Sequence, residues 1–263
     1  MIQRVKILDI TLWGRTHIVW KPRCFLHVKA KAIASTSTNA GGDKAEKRTA
    51  SALQAQAREV TSVSPVATAW DLFWKAGFTP WDLKGVTPVI SHLLEENKIP
   101  DGLALVPGCG LGYDVVAMAS PTRHVIGLDF SETALEQAKK LATLSPNSEF
   151  AEFQIADFFT YAPPMKFDFI FDYTFFCSID PNLRPEWAKK MAELLAVDGE
   201  LITLMYPLGD KRERPGRVSL IDYEEVLRPW AFKVSTVEVN IPSAPSRKGR
   251  ESLVRWGRMA ANF

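Results

Sequence analysis

Histidine and cysteine are scarce in this chain, four and three respectively in 263 residues. Beyond residue 60 only His92 and His124 remain, and neither belongs to a recognisable motif. Cys24, Cys109 and Cys177 are too few and too widely spaced for a disulfide framework or a zinc site, so no metal is expected and a reducing compartment fits. No apolar run approaches the roughly 18 residues that cross a bilayer. Nor is any apolar stretch of about 7–15 residues followed by a small-residue cleavage site, which argues against a secretory signal. Basic charge is also missing from most of the length. The formal net charge is +2, but residues 1–60 carry 11 Lys/Arg against 4 Asp/Glu, which leaves the remainder at −5. A mildly acidic body lacks the basic stripe of a nucleic-acid-binding surface. Neither nucleic acid nor membrane is therefore expected as a partner, and a monomer is expected.

Residues 1–64 read as a basic N-terminal extension, expected to be disordered. They are poor in acids at first and then rich in Ser and Thr, "ASTSTNAGGDKAEKRTASALQAQ". Such a composition suits an organelle transit segment or a bland leader. The expected location is cytoplasmic, or plastid or mitochondrion if the leader is a transit peptide. The body, residues 65–263, reads as one domain.

Within the body, strand and helix patterns alternate. "WDLFWKAGFTPWD" predicts a short helix that stops before Pro80, because a residue before proline disfavours the α region. "TPVISHLLEEN" predicts an amphipathic helix. "GLALVPG", "HVIGLD", "EFQIAD", "FDFIFDYTFF" and "GELITLMYP" predict strands, separated by helices at "YDVVAMAS", "SETALEQAKKLATL" (with Ser131 as N-cap) and "RPEWAKKMAELLA". A helix at "IDYEEVL" follows. "FKVSTVEVN" and "ESLVRWGRM" then predict an antiparallel edge hairpin. This order implies an α/β fold, a mostly parallel sheet covered on both faces.

Five signals carry chemistry. In "LVPGCGLGYD" a strand ends, Gly108, Gly110 and Gly112 turn the chain, and a helix begins. Glycines there permit positive φ and close approach of a ligand. Asp129 ends the next strand, where an acid can accept both ribose hydroxyls of a nucleoside lying across the strand tips. The dinucleotide pattern G-x-G-x-x-G would need a third glycine at position 113, which is Tyr113. A nucleoside without phosphates fits better, and a nicotinamide dehydrogenase is disfavoured though not excluded. Asp157 can accept from an adenine amino group, and the Phe158 backbone N–H can donate to the ring. Asp172, Tyr173, Phe175, Phe176 and Cys177 fall at the end of the fourth strand, where open α/β sheets bind ligands. Trp70 and Trp74 share a helical face and Trp81 follows after a turn. Tryptophans are ordinarily core, but indole faces also attract cations, by about 0.5–2 kcal/mol each. The sulfonium of S-adenosylmethionine (AdoMet) is such a cation.

Taken together, "WDLFW…TPWDLKGVTP", "LVPGCGLGYDVVAMASP", "VIGLDFSETALEQA", "ADFF", "FDFIFDYTFFCSIDP", "RPEWAKKMAELLAVDGELITLMYP" and "IPSAPSRKGRESLVRW" resemble the plant halide/thiol methyltransferases, related to thiopurine S-methyltransferases. The resemblance runs from about residue 65 to 258. It implies a three-layer, Rossmann-like AdoMet-dependent methyltransferase fold with seven strands, mostly parallel, and one antiparallel edge strand. It also implies AdoMet contacts at Trp70, Trp74, Trp81, Gly108, Asp129, Asp157, Phe158 and Tyr173, and a catalytic position at Tyr206. Two departures stand out: Gly216 in "RERPGRV" occupies a place where the family carries an aromatic residue, and Tyr113 replaces a frequent histidine.

The implied reaction is in-line displacement of the sulfonium methyl by a small soft anion such as a halide, thiocyanate or bisulfide. These acceptors are already ionised, so no general base is needed. Two alternatives stay open: a larger organic thiol as acceptor, and a non-catalytic AdoMet-binding protein.

Overall fold

The computed structural model describes residues 65–209 and 216–258. The extension expected over residues 1–64 lies outside the described residues. The chain enters through α1 (Pro65–Lys75) and α2 (Pro88–Glu95). Then follow β1 (Gly102–Pro107), α3 (Tyr113–Met118), β2 (Arg123–Asp129), α4 (Glu132–Ala142), β3 (Ala151–Ile155), β4 (Phe167–Tyr173), α5 (Arg184–Leu194), β5 (Leu195–Met205), α6 (Leu220–Leu227), β6 (Phe232–Glu238) and β7 (Ser252–Arg258). Among the described residues no helix is long and apolar enough to cross a membrane.

The seven strands form one sheet in the order β3-β2-β1-β4-β5-β7-β6. Strands β1 to β5 pair in parallel, while β7 runs antiparallel to both β5 and β6. The expected edge hairpin is present, with β6 outermost and the reversed strand β7 one place in. Two apolar layers cover the sheet. One face packs Trp187 and Met191 of α5 with Tyr223, Phe176 and Trp256. The other packs Val89, Ile90 and Leu93 of α2 with Val115 and Met118 of α3 and Leu135 and Ala138 of α4. The apolar spacing of each helix turns one stripe towards the sheet, which gives three layers.

Two of the element ends that differ from expectation have a clear local cause. Helix α1 stops at Lys75, not before Pro80. Gly77 takes φ +64, its N–H donates to the Trp74 carbonyl (3.0 Å) and the Phe78 N–H donates to the Phe73 carbonyl (3.0 Å). This is the glycine C-terminal cap with crossed hydrogen bonds, and the accompanying apolar contact is Phe73 on Phe78, 5.9 Å between ring centroids. Strand β4 ends at Tyr173, short of Phe176, because Thr174 has φ +61 and breaks the ladder. The predicted cap of α4 is in place, with Ser131 Oγ accepting from the Ala134 N–H at 3.1 Å.

Candidate active site

Sequence order reverses between β1 and β4, so the loops after these strands diverge to opposite faces and leave a crevice at the carboxyl ends. A cavity of about 470 Å³ opens there. Trp70, Trp74, Trp81, Gly108, Asp129, Asp157, Phe158 and Tyr173 all line it. Residues up to 103 apart in sequence (Trp70 to Tyr173) therefore share one wall.

The floor is built from backbone. Gly108, Gly110 and Gly112 have φ of +63, +55 and +69, a run that side-chain-bearing residues rarely adopt. Space excludes them too. A Cβ on Gly108 would stand 2.7 Å from the Phe175 ring, and one on Gly112 would stand 2.3 Å from the Phe153 ring. Asp129 accepts from the Gly110 N–H on Oδ2 and from the Ser131 N–H on Oδ1, each at 2.9 Å. A carboxylate has about four lone-pair sites, so each oxygen keeps one for a ligand hydroxyl. Burial raises Asp129 above the usual carboxylate range against the opposing pull of these amides. Asp157 Oδ1 accepts from the Phe159 N–H at 2.8 Å. Phe158 is buried, edge-on to Phe175 at 5.1 Å.

Beneath the floor lies Asp172, fully buried. It accepts from the Trp187 indole N–H (2.9 Å) and the Phe176 N–H (3.2 Å), which fixes the turn carrying Phe175 under Gly108. Burial pushes its carboxyl up to about 7, with those two hydrogen bonds opposing.

The roof is aromatic. Trp81 meets Trp70 at 5.0 Å, Phe73 at 5.6 Å and Trp74 at 5.9 Å, each edge-on. Helix α1 is moored by Asp71. Its carboxylate pairs with Lys75 (2.7 Å) and accepts from Ser131 Oγ (2.8 Å) and the Thr133 N–H (3.1 Å) at the start of α4. Burial alone would raise Asp71, but these partners outweigh it and hold it near 2.

The remaining wall was not foreseen. Arg247, only 4% exposed, lies in the loop between β6 and β7 and lines the cavity. Its guanidinium donates to the Tyr173 hydroxyl and to the Trp81 carbonyl, and covers the Tyr206 ring at 4.5 Å. The Tyr173 hydroxyl in turn donates to the buried Glu251 carboxylate. Asp114, bonded to the Thr87 N–H and hydroxyl, also lines the cavity and feels the charge of Arg247. Tyr206 is not among the described lining residues, but its ring lies against the Arg247 guanidinium, and Gly216, at φ +87, is not among them either. "SRKGRE" was visible as a segment, but nothing local marks Arg247 and Glu251 as site residues.

The thiopurine S-methyltransferase family model matches residues 66–259. A probable thiol methyltransferase 2 of Arabidopsis thaliana is 52% identical over 188 residues, 71% of this chain and 83% of that protein. Thiocyanate methyltransferase 1 of Brassica oleracea is 51% identical over 191 residues, 72% and 84% respectively. Among solved structures, a 1,6-didemethyltoxoflavin-N1-methyltransferase of Burkholderia thailandensis, holding S-adenosylhomocysteine, superposes with TM-score 0.60 at 15% identity over 76% of this chain and 93% of that one. That likeness is one of fold.

Proposed function

The chain belongs to the thiopurine S-methyltransferase family, and from that premise we propose that it methylates a small soft nucleophile, thiocyanate, a halide or a thiol, at the expense of AdoMet. The carrying observation is one cavity at the strand-order reversal that is walled by three indoles, a half-satisfied carboxylate and a buried guanidinium. The wall fits AdoMet. Its glycine floor has no room for side chains, and Asp129 keeps acceptor capacity for two hydroxyls. AdoMet, when bound, supplies an electrophilic methyl on positively charged sulfur.

The chain's residues supply the rest. Trp70, Trp74 and Trp81 line the cavity and limit water there, and an indole face turned to the sulfonium would attract it. Arg247 holds positive charge where an anionic acceptor would wait, and Tyr173 and Tyr206 fix its guanidinium from two sides. No histidine is among the lining residues. For acceptors ionised at neutral pH, orientation suffices, and near-attack placement can supply about 7–11 kcal/mol.

The test is a headspace assay with AdoMet and iodide, bromide, thiocyanate, hydrosulfide and an aryl thiol in turn. Volatile methyl products from the anions are expected. A higher kcat/KM for the aryl thiol than for thiocyanate would move the assignment to larger thiols. Absence of product from every acceptor, with AdoMet bound in calorimetry, would leave a binding protein in place of an enzyme.

A further inference from the structure

The Tyr173 hydroxyl sits between two buried charges of opposite sign, an arrangement that anionic acceptors do not require. It donates to Glu251, 3% exposed, and accepts from Arg247, 4% exposed. Thiocyanate and halides carry no proton to remove. An alkyl thiol does, because only a few per cent of it is thiolate at neutral pH. We propose that Tyr173 and Glu251 form a proton route for neutral thiol acceptors, the tyrosine hydroxyl taking the S–H proton as its own proton passes to the Glu251 carboxylate. This rests on the methyltransferase reading above and extends it to un-ionised thiols.

The geometry permits the transfer. A hydroxyl oxygen has two lone pairs and one proton. The proton is directed at Glu251 and one lone pair at Arg247, which leaves the second lone pair for a donor in the cavity that Tyr173 lines. The S–H bond breaks and an O–H bond forms on Tyr173. The former Tyr173 proton forms an O–H bond on Glu251, and the sulfur keeps the bonding pair. Tyr173 is neutral before and after. Burial, reinforced by Glu251 and opposed by Arg247, raises its phenol well above the ordinary range, so it conducts the proton and does not store the charge. Negative charge moves from Glu251 to the acceptor sulfur, and Arg247, bonded to the Tyr173 hydroxyl between them and lining the cavity, keeps a positive charge at the relay. No new net charge is created in a buried site, where an uncompensated one would be costly. The other charged groups facing this assembly are Asp114, towards Arg247, and Arg250, which covers the Tyr206 ring at 5.3 Å. After product leaves, the proton returns through Tyr173 to water.

The experiment compares wild type, Glu251→Gln and Tyr173→Phe. Turnover is measured with iodide and with thiols of graded acidity, from acidic aryl thiols to an alkyl thiol. Separately, the thiolate absorbance of a bound alkyl thiol is recorded in the presence of S-adenosylhomocysteine, where no methyl transfer occurs. In Glu251→Gln the alkyl thiol-to-iodide ratio of kcat/KM should fall by about 10²–10³, the ordinary size of an acid–base contribution. The deficit should shrink as the thiol becomes more acidic, and the bound thiol should show less thiolate than in wild type. Equal losses for iodide and every thiol, or an unchanged thiolate band, would overturn the proposal. Should Glu251→Gln not fold, the same ratio and band in Tyr173→Phe decide. A wild type inactive on all acceptors would reject the methyltransferase reading, and the absorbance experiment would still judge the proton route.

Discussion

The floor and the roof of the cavity are held by different means. The floor is continuous with the sheet, being three glycines with positive φ, a carboxylate tied to two backbone amides and a buried Asp172 underneath. The roof is a helix that buries Ala69, Phe73 and Trp74 and is also moored by the side chain of Asp71, with Trp81 tied to Arg247 through its carbonyl. Their carboxylates shift in opposite directions. Asp172 has few polar partners deep in the core, so burial wins and pushes it up to about 7. Asp71 is partly exposed and well supplied with donors, so hydrogen bonding wins and holds it near 2. The floor keeps its shape by packing, which tolerates no added atoms. The roof keeps its place by aromatic packing together with polar contacts of Asp71 that acid can release.

The sharpest way to break this contrast is to add one methyl to the floor. Gly112→Ala combines left-handed backbone with a Cβ 2.3 Å from Phe153 and 3.2 Å from the Ala138 methyl. It should cost about 2–5 kcal/mol, the sum of backbone strain and overpacking. Thermal unfolding reads this directly, and a loss no larger than that of an exposed substitution would refute the rigid floor. Next in size is Asp129→Ala, expected to weaken S-adenosylhomocysteine binding by about 1.5–3 kcal/mol, as for hydrogen bonds to a charged group. Unchanged affinity in calorimetry would remove Asp129 from the ribose role.

Asp71→Asn should act more gently on the roof, at about 1–2 kcal/mol, since it weakens charge-assisted hydrogen bonds at a partly exposed site. It should also change the pH profile. The folded value of Asp71, near 2, lies below the ordinary 3.8. Its contribution is therefore present above about pH 4 and is lost as pH falls through about 2. Asp172 works in the reverse sense: the stability tied to its neutral form is present below about pH 4 and is lost as pH rises through about 7. Melting temperatures across pH should show the acid limb flattened in Asp71→Asn, and an acid limb identical to wild type would show that the mooring lies elsewhere.

The same division explains what the sequence revealed. The floor was legible because its parts are local: glycines between a strand and a helix, Asp129 at the end of one strand and Asp157 just beyond another. Each is set by the short-range geometry of a strand-to-helix turn. Trp70 and Trp74 announced a helical face, although Pro80 was the wrong stop signal and Gly77 the right one. The mooring of Asp71 on Ser131 spans 60 residues and leaves no trace in either segment. Arg247 and Glu251 were illegible for a further reason. In sequence they are a polar loop before an edge strand, and only the pairing of Met205 with Ser252 brings them beside β5. Tyr206 followed from resemblance alone, and its ring lies against the Arg247 guanidinium that lines the cavity.

That pairing reaches further than the pair itself. Because β7 points against its neighbours, its beginning lies where the others finish, and the loop of residues 239–251 arrives over the crevice from the opposite end of the chain to the indoles. Arg247 and Glu251, the two charged partners of Tyr173, are thus delivered by one late loop, while Tyr173 itself comes from the end of β4. Exchanging that loop would change the charge facing the acceptor while leaving the glycine floor and Asp129, which it does not build, as they stand.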